Sequence, residues 1–164
     1  MWLAHTLPQV QADYVLLLNL FRDQLDRCGE IDRVQDAIAT ALEQSPNTTL
    51  LYNADDPLCA IIAQRVPNES VAFGVGEDMH QHQNVVADAQ MCQRCSAMFT
   101  YGYRQYGQLG TYSCPNCGFS RPDLDFSAKS VVFGDEITFS VEETATGKSV
   151  DLHAQRAGSY MVYN

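Results

Sequence analysis

With 164 residues, 46% of them hydrophobic and 18% charged, the chain can bury one sizeable core with a small satellite, and a disordered or collagen-like polymer is excluded. A formal charge of -10 argues against broad nucleic-acid binding, which needs Lys and Arg in excess. No apolar run approaches the ~18 residues of a bilayer span, and the first residues lack the basic start and apolar stretch of a signal peptide, so a cytoplasmic protein is expected.

Tyr14 to Leu18 is an unbroken apolar run ended by Asn19, the pattern of a strand buried on both faces in a parallel sheet. Ile31, Val34, Ile38 and Leu42 form a helical stripe that stops at Pro46-Asn47. Thr49 to Tyr52 reads as the next strand. Asp55-Asp56-Pro57 then reads as an N-cap with proline at the first helical position, opening a helix through Val66. Pro67-Asn68 breaks it, and Ser70 to Phe73 is a short strand before a Gly74-Val75-Gly76 turn. Strand, helix, strand, helix, strand through residue 76 is the doubly wound α/β pattern. Residues 77–90, with His80, His82 and three Gln, read as a polar linker.

Cys92-Gln-Arg-Cys95 and Cys114-Pro-Asn-Cys117-Gly118 are two C-x2-C pairs with zinc-ribbon spacing. Two intervening residues let a tight turn aim both sulfurs at one point, and the following glycine lets the backbone turn beneath a metal. Cys92, Cys95, Cys114 and Cys117 are therefore the expected ligands of a structural zinc. Four thiolates leave no coordination position for water or substrate. An iron-sulfur cluster usually shows a tighter run of cysteines, and redox-active pairs need a βαβ context that neither pair has. Cys28 and Cys59 fall in α/β elements and read as small buried residues. His5, His80, His82 and His153 show no ligand spacing with the cysteines.

Phe99, Tyr101, Tyr103, Tyr106 and Tyr112 lie between the knuckles with the odd spacing of a β-hairpin. They suit a packed aromatic face over a small core, or, interleaved with arginines, bases or a protein partner. Residues 89–122 contain Arg94, Arg104 and Arg121 and no acidic residue, so this segment differs chemically from its acidic host. Beyond Cys117, Ile137, Phe139 and Val141 alternate with polar neighbours, Thr146-Gly147 marks a turn, and Val150 and Leu152 alternate again. That is an antiparallel hairpin.

Four stretches carry a family resemblance: Asn19-Leu20-Phe21-Arg22-Asp23-Gln24-Leu25-Asp26-Arg27, Tyr52-Asn53-Ala54-Asp55-Asp56-Pro57, the ribbon, and Gly158-Ser159-Tyr160-Met161-Val162-Tyr163-Asn164. Together they resemble the central ATPase domain of Mur ligases, and among these the MurT-like members, in which a four-cysteine ribbon inserted here is distinctive. The resemblance implies an α/β fold: a partial central domain at 1–88, a zinc-ribbon insertion at 89–122, and an antiparallel β segment returning at 123–164.

The resemblance also implies an activity. Such ligases use ATP and Mg2+ to phosphorylate the D-glutamate α-carboxylate of lipid II, and ammonia from a GatD-type glutamine amidotransferase gives isoglutamine, at the inner face of the membrane. Asn19, Asp23, Gln24, Asp26 and Asn164 are the implied nucleotide-site positions. Gln24 stands where related ligases have a histidine near the metal, and Met161 where their pattern has its first asparagine. Asp55 and Asp56 read as helix caps. No G-x-x-x-x-G-K-[ST] phosphate cradle occurs, so a piece of a longer ligase, inactive by itself, is expected. The other reading is a non-catalytic zinc-ribbon adaptor working through Arg94, Arg104 and the tyrosines.

Overall fold

A computed structural model describes residues 3–20, 31–81, 90–155 and 159–163, the last group's first two by backbone only. The helices are α1 (Leu3–Val10), α2 (Ile31–Glu43) and α3 (Pro57–Ala63). The strands are β1 (Tyr14–Leu17), β2 (Thr49–Asn53), β3 (Ser70–Val75), β4 (Thr100–Gln105), β5 (Leu109–Ser113), β6 (Phe126–Phe133), β7 (Glu136–Glu143) and β8 (Lys148–Gln155), and a 3-10 turn spans Ser159–Tyr163.

The expected parallel sheet forms from the three apolar runs. Leu16 lies opposite Leu51, Leu51 opposite Val71, and Phe73 opposite Phe126, so β1, β2, β3 and β6 run parallel. β7 and β8 then extend the sheet antiparallel, giving the order β1-β2-β3-β6-β7-β8. The alternating segment is the expected hairpin, with Val141 opposite Val150 and Phe139 opposite Leu152. Gly147 takes a φ of 68° at its turn, a conformation that suits glycine. The ribbon hairpin β4-β5 is a separate two-stranded sheet. It is reached by the chain between β3 and β6, two neighbouring parallel strands.

Several elements differ from expectation. β1 is not buried on both faces: Tyr14 and Leu16 are 68% and 57% exposed, because β1 is the outer strand among the described residues and one of its faces is uncovered. α3 stops at Ala63 with Gln64 as its C-cap, short of Val66, since the residue before Pro67 is driven out of helical backbone. β3 continues through Gly74 and Val75 where a turn was expected. A side chain at Gly74 would put its Cβ 2.6 Å from Asp55 Oδ1, so only glycine lets the strand pass this carboxylate. α1 and β6 carry patterns too short or too mixed to stand out in the sequence.

α2 buries Val34, Ile38, Ala41 and Leu42 against the sheet, and α3 buries nearly every residue. One apolar cluster joins Leu42, Leu50, Leu58 and Ile62 of this layer to Cys92, Phe99, Tyr112 and Phe119 of the ribbon. The small aromatic core of the hairpin is thus continuous with the core of the host.

Candidate metal centre

Each cysteine pair sits in the same local fold. In the first knuckle the Cys92 amide donates to the Ala97 carbonyl at 2.8 Å and Ser96 N–H to the Cys92 carbonyl at 2.7 Å. In the second, the Cys114 amide donates to the Phe119 carbonyl at 2.7 Å and Gly118 N–H to the Cys114 carbonyl at 3.1 Å. Both turns need a left-handed residue one place after the second cysteine. Gly118 supplies it at φ 75°, as its sequence position suggested, whereas Ser96 adopts φ 58° despite its side chain.

The knuckles bring all four sulfurs within 4.8 Å of one another. Cys92 Sγ lies 3.5 Å from Cys117 Sγ and Cys95 Sγ lies 3.4 Å from Cys114 Sγ. A tetrahedral ion with metal-sulfur bonds of ~2.3 Å holds its sulfurs ~3.8 Å apart, a spacing these separations bracket. The quartet could therefore hold a metal ion. Cys92 and Cys114 are buried, Cys95 half-buried and Cys117 exposed, so one edge of the centre faces solvent.

The aromatic residues mostly turn inward. Phe99, Tyr112 and Phe119 are buried, with ring centroids 5.2–6.0 Å apart, and burial drives the Tyr112 hydroxyl well above its ordinary pKa. Arg94 stacks over Phe119 at 4.9 Å and Arg104 over Tyr101 at 5.7 Å. These arginines cover the hairpin's own rings, as the packing account requires.

The hairpin lies along α3. At its knuckle end Arg94 donates to the Gln64 side chain at the helix C-cap, and Gln35 Nε2 of α2 donates to Gln93 Oε1 at 3.0 Å. At its tip Gln108 Nε2 donates to the Leu20 carbonyl at 2.8 Å and to Asp56 Oδ1 at 3.4 Å. Asp56 is the N-cap of α3, accepting from Leu58 N at 2.9 Å, as expected. It also accepts from Leu20 N at 2.9 Å.

Asp55, expected to be a cap, does other work. Its Oδ1 lies 2.6 Å from Arg121 Nε, while Oδ2 accepts from Val75 N and from the Tyr163 hydroxyl, both at 2.9 Å. Burial pushes both carboxyls up to about 6, against the opposite pull of Arg121 on Asp55 and of the Leu20 and Leu58 amides on Asp56. Burial likewise raises the Cys59 thiol, and the charge of Asp56 beside it, together with its hydrogen bond, adds to the shift. The sequence reading missed Asp55, Gln108 and Arg121 as partners. The one signal available was three arginines inside an acid-free segment of an acidic chain.

Of the implied nucleotide-site positions, Asn19 is half-buried just beyond the carboxyl end of β1. Asp23, Gln24, Asp26 and Asn164 lie outside the described residues, as does Cys28. Among the described residues no helix is long and apolar enough to cross a membrane.

No protein-family model matches the chain. It is 32% identical over 160 residues to the MurT subunit of the glutamine-hydrolyzing lipid II isoglutaminyl synthase of Streptococcus pneumoniae, a match covering 94% of this chain and 34% of that protein. The chain matches a fragment of MurT. The MurT subunit of Staphylococcus aureus strain COL is 27% identical over 161 residues, covering 96% of this chain and 34% of its own length. The chain thus spans about a third of the length of the curated MurT relatives it matches.

Proposed function

We propose that this chain is the sheet-and-ribbon part of an ATP-dependent carbon-nitrogen ligase subunit that amidates the D-glutamate α-carboxylate of lipid II to D-isoglutamine, in peptidoglycan synthesis at the inner face of the membrane. In this reading the γ-phosphoryl group of ATP passes to the carboxylate and ADP departs. Ammonia from a GatD-type glutaminase then attacks the acyl carbon, and inorganic phosphate leaves. Magnesium would offset the charge gathering on the phosphates. Asn19, Asp23, Gln24, Asp26 and Asn164 are the candidate nucleotide positions; Asn19 follows the carboxyl end of β1, the edge at which open α/β sheets take ligands.

The observation that carries this reading is the MurT match over 94% of the chain together with the four-sulfur cluster. Residues 89–122 are read as the inserted ribbon, with zinc held by Cys92, Cys95, Cys114 and Cys117 as a structural ion. Bound there, the metal would contribute folding free energy to a hairpin too small to fold on its own burial.

Two measurements test the reading. A protein in which this chain replaces the matching third of the pneumococcal MurT subunit should amidate lipid II when given ATP, glutamine and the partner subunit. A chimera that folds and takes up zinc but leaves lipid II unamidated would contradict it. The 164-residue chain alone should show no magnesium-dependent ATP turnover, since it has no phosphate cradle.

A further inference from the structure

Besides the apolar core it shares with the host, the ribbon makes polar contacts with it near both of its ends. Its knuckle end rests on the C-cap of α3 and on α2, through Arg94 to Gln64 and Gln93 to Gln35. Its tip reaches the N-cap of the same helix. The strands between are five or six residues long, so the tip lies ~17 Å from the knuckles at ~3.3 Å per residue.

The hairpin, from Tyr103 of β4 through the tip to Gly110 of β5, meets the carboxyl ends of three parallel strands. Beyond β1, both backbone groups of Leu20 are taken: its N–H by Asp56 and its carbonyl by Gln108. Beyond β2, the Asp55 carbonyl accepts from Gly110 N–H at 3.0 Å. At the end of β3, the Val75 carbonyl accepts from the Tyr103 hydroxyl at 2.6 Å. Gln108 is itself fully buried, and a buried amide in such a setting is costly to leave unpaired. Its side chain bridges Leu20 and Asp56, two sites that belong to different loops.

We propose that the ribbon hairpin braces the carboxyl edge of the sheet, and that Gln108 is the positioning residue through which metal binding at the knuckles fixes Asn19 and Leu20. The metal closes the open end of the hairpin, where the flanking cysteines of β4 and β5 meet. Closing that end holds β4 and β5 in register, and the register places Gln108 between Leu20 and Asp56. The coupling runs both ways: an edge that is already ordered favours metal binding by the same factor. This inference rests on the zinc-ribbon reading above, and it gives the insertion a task at the candidate nucleotide edge beyond its own folding.

The test uses the full 164-residue chain, zinc-free and loaded with one equivalent of zinc, followed by NMR. Loading should slow hydrogen exchange at the Leu20 amide by at least about fivefold, the effect of one net hydrogen bond. It should also shift the Leu20 carbonyl-carbon resonance, while the Val141 amide in the distant hairpin stays unchanged. Gln108→Met keeps the side-chain length and removes the donor. That variant should still bind one zinc, yet its Leu20 signals should respond less than about twofold to the metal.

A wild-type chain that binds zinc with no response at Leu20 overturns the brace and leaves the zinc site standing. A Q108M chain that keeps the full response overturns the role of Gln108. If no zinc binds at all, the ribbon reading falls and the brace with it. Should Q108M fail to fold, the wild-type chain alone decides: scalar coupling across the hydrogen bond from Gln108 Nε2 to the Leu20 carbonyl carbon must appear with zinc and vanish on chelation.

Discussion

Arg121 Nε lies 2.6 Å from Asp55 Oδ1, and the carboxylate it meets is completely shielded from solvent. The pair joins the segment after the second knuckle to the loop after β2. Arg121 also donates to the Val75 carbonyl at 3.1 Å and to the Thr111 hydroxyl at 3.2 Å, so its guanidinium ties three elements together. Removing one member strands the other charge in a low-dielectric site. Arg121→Met should therefore cost about 3–5 kcal/mol in urea unfolding of the zinc-loaded chain. The double variant with Asp55→Asn should cost less than the sum of the single changes by at least ~1 kcal/mol. Strict additivity would show that the two side chains do not stabilise each other.

Metal removal offers a second prediction. The four sulfurs form the one cluster of His, Cys, Asp or Glu ligand atoms that could hold a metal ion among the described residues, so one zinc per chain is expected by elemental analysis. Cys92→Ser or Cys114→Ser, each replacing a buried ligand, should lower zinc affinity by at least about tenfold. Cys59→Ala should leave the stoichiometry at one, because Cys59 donates to Asp56 Oδ2 at 3.5 Å in the α3 cap and lies outside the sulfur quartet. Chelation should strip exchange protection from the knuckles first. Protection around residues 92–117 that survives chelation intact would show that hydrophobic burial alone orders the ribbon.

The parallel strands and the sulfur quartet were legible because each is written in local spacing. Val34, Ile38 and Leu42 repeat at the helical period, and the paired C-x2-C turns announce their own geometry. The buried polar network was not legible, because Gln108 and Leu20 are separated by 88 positions and Asp55 and Arg121 meet only once β3 and β6 flank the insertion. Asp56 was read correctly as a cap, since capping is a contact two residues away. Asp55, its neighbour, took the same local reading and instead pairs with Arg121. The burial of β1 was overestimated for a related reason: an apolar run states that a strand is hydrophobic, and its place at the edge of the described sheet is a property of topology.

The two knuckles differ at one position in a way that yields a stability test. Ser96 and Gly118 occupy equivalent left-handed positions, at φ 58° and 75°, and an L side chain in that region costs about 1 kcal/mol or more. Ser96 is exposed, so no burial offsets the strain. Ser96→Gly should raise the unfolding free energy of the zinc-loaded chain by roughly 0.5–1 kcal/mol, the strain relieved less the extra chain entropy of glycine. Gly118→Ala should lower it by a similar amount, although nothing lies within 4 Å of the added Cβ, because the penalty is one of backbone conformation. Equal stabilities for the wild-type chain and the Ser96→Gly variant would mean that the first knuckle turns differently.

Asp56 is one of two buried carboxyls whose raised values make stability depend on pH, and a substitution there isolates its share. Its carboxyl is pushed from 3.8 up to about 6 by complete burial, which outweighs the amide bonds from Leu20 and Leu58. The folded chain therefore binds this proton more tightly than the unfolded chain does. Stability contributed by the protonated carboxyl is fully present below the ordinary value and declines as pH rises through the window to about 6. The total change is on the order of 3 kcal/mol. Asp56→Asn keeps a capping side chain but cannot ionise, so it should lose this slope. The measurement compares zinc-loaded wild type and variant in urea at about pH 4.5, 6 and 7.5, where the metal's own pH dependence is common to both and cancels in the difference. The wild type should weaken relative to the variant as pH rises, and carbon NMR should place the Asp56 midpoint near 6. A midpoint near that of an exposed aspartate would mean that the Leu20 and Leu58 amides, with Gln108, outweigh the cost of burial at the edge where the ribbon docks.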